Sequence, residues 1–448
     1  VPDSGLVVSM EPVITVPGDA APTRGGGGSA TQGDISFGTV AMGCSIGTFI
    51  EWFDYASYGY LAETIARVFF PSTDRHAGLM ATYAIFALSF VLRPVGGVMW
   101  GHIGDRLGRR VALSLSIGAM SVATALIALL PGYGRIGMAG PVALLVLRMV
   151  QGFSSSGEYA GASTILMEHA PPGKCGLATA LVPASEALGL LTGALMVAAL
   201  SGGLTDTQMQ DWGWRIPFLF GAPLGVVAWL FRGRLAETLH GVAEAERQDV
   251  PILVLLRDYR PHLLLGLGIS ALDAIGFYFI LNFMPVFIST AGVLSSHMAT
   301  VVQTVLLAAF IPAVFAMGVL SDRVGRRPML LLASILFVVL TIPLLWLLGR
   351  SSFLGVVAIE LAFGGMLAIN EGTLPGFLTE LFPRHARYSG FALVFNIANA
   401  ALGGTAPFVM TWIMQVSGSP VVPGVWLVSV AAAAVACTLL SRRFAAVR

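Results

Sequence analysis

The chain has 448 residues, 56% of them hydrophobic and only 11% charged, where a soluble domain carries about 25% charged. With a mean hydropathy of +0.82 over the whole length, this excludes a water-soluble globular protein, since most of the chain must face lipid or other apolar helices. The balance of 25 Lys+Arg against 24 Asp+Glu leaves a net charge of +1, which excludes the global basic field of a nucleic-acid binder.

Residues 1–33 are rich in Pro, Gly and Ser, carry Arg24 as their one positive charge and hold no apolar run of signal-peptide length. This composition predicts a disordered cytoplasmic tail. From Ser36 onward, twelve helices long enough to cross a bilayer are expected, at approximately 36–62, 78–100, 111–131, 141–168, 177–201, 212–231, 262–290, 297–320, 328–348, 353–380, 388–416 and 420–441. One long polar connection, 232–261, carries ten charges from Arg232 to Arg260 and divides them six and six. The expected organisation is therefore a tail over 1–33, an N-terminal half over 34–231, a cytoplasmic connection over 232–261 and a C-terminal half over 262–448. Lys and Arg are held on the cytoplasmic side; with an inside N-terminus, eighteen of the 25 positive residues fall inside, four outside and three, Arg93, Arg148 and Arg215, in or at the edge of spans. A multi-pass protein of the plasma membrane with both termini cytoplasmic is expected. Cys44, Cys175 and Cys437 lie far apart and show neither disulfide nor metal spacing.

An internal repeat supports the division. Gly101-His-Ile-Gly-Asp105-Arg106-Leu-Gly108-Arg109-Arg110 returns as Gly318-Val-Leu-Ser-Asp322-Arg323-Val-Gly325-Arg326-Arg327, 217 residues later. A second echo sets Glu168 with Pro171 and Pro172 beside Glu380 with Pro383. Parallel duplication of six helices marks a large class of secondary transporters that hold substrate where the halves meet. The ten-residue loop is expected to act as a latch: glycines let helix ends approach, Asp105 and Asp322 pair with arginines or cap the next helix, and the arginines keep the loop inside.

Ionisable residues inside spans cost at least about 2.5–3.5 kcal/mol each and call for a function. In the first segment, Glu51 and Asp54 share a helix face with Tyr55 and Tyr58; two carboxylates in one buried stripe should perturb each other and make a proton-binding group, unless one pairs with Arg148. In the fourth, Arg148, Gln151, Ser155 and Glu158 fall within about 80° of arc. Arg148 is either the anchor of an acidic substrate or the partner of Glu51, Asp54 or Glu158, and alternation between the two would itself be a mechanism. The later segments add Asp273, Glu360, Glu371, Asn396 and Asn399. Glu360 and Glu371 are about 20° apart on one face, Glu360 sitting nearer the outer end, where solvation suffices for it; Asp273 is favoured as a cavity or proton residue and the asparagines as interhelical contacts or ligands. Arg93, near the cytoplasmic end of its span, reads as mainly structural, and Glu186 has no partner visible in sequence.

These residues resemble the metabolite:proton symporters of the major facilitator superfamily over about residues 38–441. The likeness rests on Glu51-Trp52-Phe53-Asp54, Phe69-Phe70-Pro71, Arg93-Pro94-Val95-Gly96-Gly97, the Gly101–Arg110 loop, Gln151-Gly152-Phe153-Ser154, Gly157-Glu158-Tyr159 and Trp212-Gly213-Trp214-Arg215-Ile216-Pro217-Phe218. The Phe382–Ser389 and Phe279–Phe287 stretches are most similar to the proline/betaine branch. The resemblance implies an all-α membrane protein of the major facilitator fold, with twelve transmembrane helices in two pseudo-repeated halves. It implies proton symport of a small carboxylate or zwitterion by alternating access, from organic acids such as α-ketoglutarate, citrate or shikimate to proline or betaine. From the intramembrane charges above, and not from the family pattern in the case of Asp273 and Glu371, Glu51, Asp54, Glu158, Asp273 and Glu371 are expected to couple protons, and Arg148, Gln151, Trp52, Tyr55, Tyr58, Asn396 and Asn399 to bind substrate. The aromatic side chains suit a quaternary ammonium or packing alone.

Competing readings are a proton-antiport exporter, a non-transporting nutrient sensor, and an enzyme or ATP-driven pump. The span-five stretch Ala187–Gly193 lacks an exporter-type Gly-Pro-x-x-Gly-Gly pattern, and the chain has no phosphate loop or His-Glu-x-x-His motif. No enzyme activity and no cofactor are expected; the expected partners are the bilayer, protons and a small-molecule substrate, with the chain working as a monomer.

Overall fold

The computed structural model describes residues 36–70, 75–233, 251–417, 419 and 421–443, and every regular element among them is helical. The expected tail and most of the long polar connection lie outside the described residues. Nine helices among the described residues are long and apolar enough to cross a membrane, where the sequence predicts twelve, and the nine coincide with nine of the expected segments. The other three are helical but depart from an unbroken apolar rod. The first, Phe37–Tyr60, carries Glu51, Asp54 and three tyrosines and is too polar. The fourth is divided into Ala139–Ser155 and Glu158–His169 by a turn at Ser156–Gly157. The eleventh passes from Arg387–Ala398 through a π turn, Asn399–Gly403, into Ala406–Ser417. All three hold expected site residues, so the departures mark where polar side chains and freed backbone groups meet.

The connection 232–261 also differs from a loop. Arg232 lies within the Arg215–Gly233 helix and is fully buried, Pro251–Asp258 is a helix of its own, and Arg260 opens the next one. Arg232 therefore does not serve only to fix topology. Helix starts follow ordinary capping: Ser36, Ser295 and Ser352 each accept a hydrogen bond from the backbone three residues on.

The repeated ten-residue motif is mostly helix, not loop. Arg93–Arg106 runs through it to Leu107 and Gly108, and the next helix starts at Arg109; in the second copy Ser296–Val324 and Arg326–Leu348 are joined by Gly325 alone. Gly108 (φ 119°) and Gly325 (φ 102°) reverse the chain in a backbone region that strains any residue with a Cβ. Close approach is the second use of glycine here: a Cβ on Gly101 or Gly104 would run into Ser389 or Tyr388 of the Arg387–Ala398 helix.

The two largest apolar clusters each combine residues from before 232 and after 261. Trp52, Tyr55, Phe90 and Ala184 pack with Phe277, Tyr278 and Leu367, while Trp100, Tyr159 and Leu166 pack with Phe377, Tyr388 and Phe395. Large apolar side chains such as Met80, Leu129, Leu264 and Leu354 point outward, as a lipid-facing surface requires.

Gly108→Val and Gly325→Val should each cost about 1–2 kcal/mol and lower the unfolding temperature in detergent. Gly349, with φ −66° and open space around it, provides the control: Gly349→Val should leave the midpoint unchanged, and an equal loss there would show that backbone strain at the two turns is not the cause.

Candidate functional site

The sequence expects Glu51 and Asp54 to act on each other. In the structure each takes an arginine of its own. Arg93 Nη2 donates to Glu51 Oε1 at 2.8 Å, with the guanidinium over the rings of Phe90 (4.5 Å) and Tyr55 (5.1 Å). Arg148 Nη1 donates to Asp54 Oδ2 at 2.5 Å and lies 3.8 Å from the Tyr58 ring centroid. Both pairs are sealed from solvent. Of the partners considered for Arg148, Asp54 is the one it meets. Arg93, read from the sequence as mainly structural, is the partner that reading missed; its position inside an expected span was the available signal. The pairs are unevenly satisfied: among the described residues, Arg148 Nε and Nη2 and Asp54 Oδ1 have no hydrogen-bond partner, nor do Arg93 Nε and Glu51 Oε2.

Glu158 pairs with Arg232, in a bidentate contact. Arg232 also donates to the Gly43 carbonyl at 3.0 Å and the Leu113 carbonyl at 2.8 Å, and Ser116 Oγ donates to Glu158 at 3.3 Å. Every polar group of this pair is engaged, and the pair ties four helices together. Nothing in the linear sequence linked Arg232 to Glu158.

A third group contains no base of its own. Tyr159 Oη donates to Glu371 Oε2 at 3.1 Å, its ring stacked on Phe395 at 4.2 Å. Asp273 interacts with Glu371 carboxyl to carboxyl, and Glu186 faces both. The structure thus brings Asp273 and Glu371 together and supplies Glu186 with neighbours that the sequence did not reveal. Glu360, expected to be solvated, is instead buried, with neither oxygen hydrogen-bonded.

The remaining expected residues divide by contact. Tyr55 Oη meets Ser155 Oγ at 3.2 Å, Tyr58 Oη donates to the Thr82 carbonyl and Gln151 Nε2 donates to Thr124 at 2.7 Å. Trp52 packs on Phe277 at 5.1 Å. Asn396 donates across the structure to the Ser156 carbonyl at 2.7 Å, at the break in the fourth segment. Among the described residues, Asn399 donates to the Phe395 carbonyl one turn earlier.

The repeated motifs form a reciprocal latch. Asp105 accepts from the backbone N–H of Tyr388 (3.2 Å) and Ser389 (2.8 Å), while Asp322 accepts from Gly176 (2.7 Å) and Leu177 (3.0 Å). Each carboxylate caps a helix start belonging to the other repeat, not the next helix in its own, where the unpaired N–H groups and the helix dipole favour a negative charge. The second echo joins the same latch: Glu168 pairs with Arg109 (3.2 Å) and Arg387 (3.1 Å), and Glu380 pairs with Arg326 (3.4 Å). Arg326 also holds Asp322 at 2.8 Å, Arg109 donates to the Arg384 carbonyl, and Arg327 donates to that of Ser441. Arg106, Arg110 and Arg323 are exposed. Tyr388, unmarked as a site residue by the sequence, fills the space left by Gly104, Gly157 and Gly161 and donates to the Gly157 carbonyl at 2.6 Å.

Removing one member of a buried pair leaves the other charged and unsolvated. Arg93→Ala should therefore cost about 3–5 kcal/mol, read as a lowered unfolding temperature in detergent, and Arg93→Met combined with Glu51→Gln should recover most of the loss. A double variant no more stable than Arg93→Ala alone would count against ion pairing as the reason for the loss.

The chain matches the Major Facilitator Superfamily over residues 44–407. It is 34% identical over 390 residues to a putative proline/betaine transporter of Staphylococcus aureus, covering 86% of this chain and 84% of that one. It is 33% identical over 405 residues to the proline/betaine transporter of Escherichia coli K12, covering 86% and 80%. A third relative, the glycine betaine/proline/ectoine/pipecolic acid transporter of Dickeya dadantii, is 32% identical over 403 residues, covering 86% and 79%. Among solved structures, the fold matches a proton:xylose symporter with bound 6-bromo-6-deoxy-D-glucose at a TM-score of 0.73 and 14% identity, over 91% of this chain and 95% of that one. A partially occluded inward-open form of the Escherichia coli xylose transporter gives 0.65 at 15% identity, over 91% and 97%. The chain belongs to the major facilitator superfamily, as a homologue of the proline/betaine and related metabolite:proton symporters, and is a secondary transporter of a small polar or charged metabolite, not an enzyme.

Proposed function

We propose that in this proton-coupled symporter the Asp54–Arg148 pair exchanges its internal contact for one proton and one substrate, the substrate being a small carboxylate or zwitterion such as proline or betaine. One observation carries this reading: Arg148 is fully buried yet joined to Asp54 through a single nitrogen, with Nε and Nη2 unengaged. A guanidinium keeps its charge, whereas a carboxylate can take up a proton. Protonation of Asp54 frees Arg148 to hold a substrate carboxylate bidentately; release of both lets the pair close again. Neither the loaded nor the empty site then carries an unpaired arginine through the membrane.

Glu51 with Arg93 is assigned as a second carboxylate–arginine pair beside the first, and Tyr55, Tyr58, Trp52 and Gln151 as walls of the same site. Glu158, bound up with Arg232, is assigned to the scaffold. The same reading takes the chain as twelve spans in two six-helix halves, 34–231 and 262–448, working as a monomer. Both termini are placed in the cytoplasm, which the distribution of arginines supports. On this orientation the latch shuts the cytoplasmic end, and the site exchanges with the outside while it holds.

The test is transport in proteoliposomes with labelled proline, betaine and organic acids. Asp54→Asn should leave counterflow near wild type and remove accumulation driven by a proton gradient; Arg148→Ala, checked for folding by size exclusion, should lose counterflow. Uptake by the unaltered protein that ignores the proton gradient would overturn symport, and normal transport by Arg148→Ala would overturn the anchor.

A further inference from the structure

Beyond the arginine pairs, the structure buries a contact between two acids. Asp273, on the Arg260–Tyr278 helix, and Glu371, at the end of Phe353–Glu371, are 3% and 2% exposed and meet carboxyl to carboxyl. Both belong to the second repeat. Tyr159, on the Glu158–His169 helix of the first, donates to Glu371 Oε2 at 3.1 Å, and among the described residues Asp273 Oδ1 has no hydrogen-bond partner. The ionisable groups facing the two acids are Tyr159 and Glu186, with Glu51 and Arg93 behind Glu186; Arg93 is bound to Glu51 at 2.8 Å. The other helices packed against the acids carry their ionisable groups elsewhere. Asp322, Arg326, Glu380 and Arg387 are engaged in the latch, Tyr388 at the Gly157 carbonyl and Cys437 against Gly268, while Glu360 stands about three turns before Glu371 on the same helix. Among the described residues no base faces the two acids directly.

Two carboxylates in contact, out of reach of water and without a base, repel too strongly to stand together, so one acid must carry a proton that the other accepts. The position of the contact decides which side that proton exchanges with. Along the fourth segment, Tyr159 comes after Arg148 and the Ser156–Gly157 break, and before Glu168 of the latch. Its ring is stacked on Phe395 at 4.2 Å and meets Phe391 edge-on at 6.1 Å, on the helix whose start Asp105 caps. Tyr388 fills the space at Gly157 and Gly161, on either side of Tyr159 in the chain. These rings share one apolar cluster with Phe377 and Leu381, whereas Tyr58, beside Arg148, packs in another with Phe218. The two acids therefore lie on the latch side of the Asp54–Arg148 pair, behind an aromatic seal. The Tyr159–Glu371 bond crosses from one repeat to the other and must break when the repeats part there.

We infer that Asp273 and Glu371 hold one proton between them, exchanged with the cytoplasm alone, and that this proton keeps the repeats closed at Tyr159. This rests on the reading of the chain as an alternating carrier with a cytoplasmic latch, and it adds a regulatory site to that reading. When the repeats part, water enters the seal, the carboxylic acid gives its proton to that water, and two hydrated carboxylates remain. Reclosing takes a proton back from the same side. The closed form binds one proton more than the open one, so a rise in cytoplasmic pH favours the open form. Because this proton leaves and returns on one side, it does no work on the substrate, and the proton carried by Asp54 stays the coupled one.

The experiment is labelling of Cys175 by N-ethylmaleimide in the purified full chain in detergent, without substrate, read by peptide mass spectrometry. Cys175 directly precedes Gly176 and Leu177, whose N–H groups Asp322 caps, so its reactivity reports opening of the latch. The reference is Asp273→Asn combined with Glu371→Gln, whose amides hydrogen-bond to each other without an added proton; both proteins share the thiol's own response to pH. Between about pH 6 and about pH 9, the labelling rate of the unaltered protein relative to this variant should rise about tenfold or more. A ratio that stays flat or falls would overturn the inference. If the double variant fails to fold, Tyr159→Phe takes its place: it cuts the tie between the acids and the first repeat and should speed labelling severalfold at about pH 6, and an unchanged rate would count equally against the shared proton. Asp54→Asn separates the two proposals. It should keep the pH response of the unaltered protein; a lost response would move the switch to the Asp54–Arg148 pair and overturn the inference. Uptake indifferent to a proton gradient would instead overturn the coupling mechanism and leave the shared proton standing.

Discussion

A charge in the interior of a bilayer has no water to fall back on, and that single constraint organises this molecule. It divides the buried ionisable residues by how they are satisfied. Glu51, Asp54 and Glu158 each have an arginine. Asp105 and Asp322 have helix N-termini, whose unpaired N–H groups need an acceptor as much as the carboxylates need donors. Among the described residues, Glu186, Asp273, Glu371 and Glu360 have neither an arginine of their own nor a helix end. In a soluble protein such a remainder would be an oddity at the surface; here each member has a cost that its position must justify.

The latch shows how duplication turns a local motif into a device. One copy alone is a helix end, a glycine turn and an aspartate. Two copies placed head to head let each aspartate cap a helix of the other repeat, so the fastening is reciprocal and closes one end of the structure at two points. Glu168 and Glu380 then tie in the arginines that follow each turn. The Tyr388 hydroxyl reaches the Gly157 carbonyl at the break in the fourth segment, and Asn396 reaches Ser156 beside it. The latch is thereby linked mechanically to the discontinuity that separates Arg148 from Glu158, in the same polar layer as the candidate site.

Much of this was legible from residues alone, and the reasons are physical. Nine apolar segments coincide with helices of bilayer length because hydropathy and length suffice to find them. The three that deviate carry the polar side chains, and polarity is what weakens the signal. The repeat is visible because its glycines and aspartates have fixed spacing, and the expected arginine partners are present in Arg109 and Arg326; the helix starts that the aspartates cap are not the next ones but lie some 280 residues away in one case and 146 in the other. Pairing across the fold has no trace in a single sequence: Arg232 looked like a loop charge, Arg93 like a structural one and Glu186 like an orphan. Glu51 and Asp54 were correctly placed on one face, yet the helix face does not say which base stands opposite each of them.

The three arginine pairs differ in one measurable respect, and it separates scaffold from moving part. Arg232 and Glu158 leave no buried polar atom unpaired; Arg93 and Glu51 leave one each; Arg148 and Asp54 leave three between them. A fully satisfied pair loses several hydrogen bonds if it opens, so it holds one geometry. A pair joined through one contact, with donors and an acceptor idle beside it, loses little on opening and gains whatever ligand completes the set. That ordering is why Asp54–Arg148 is the pair assigned to exchange, and why Glu158, although on the same polar face as Arg148, belongs to the frame that holds the first, fourth and sixth segments in place. An alternating carrier needs both kinds of pair in one bundle, because a site that switches has to be mounted on contacts that do not.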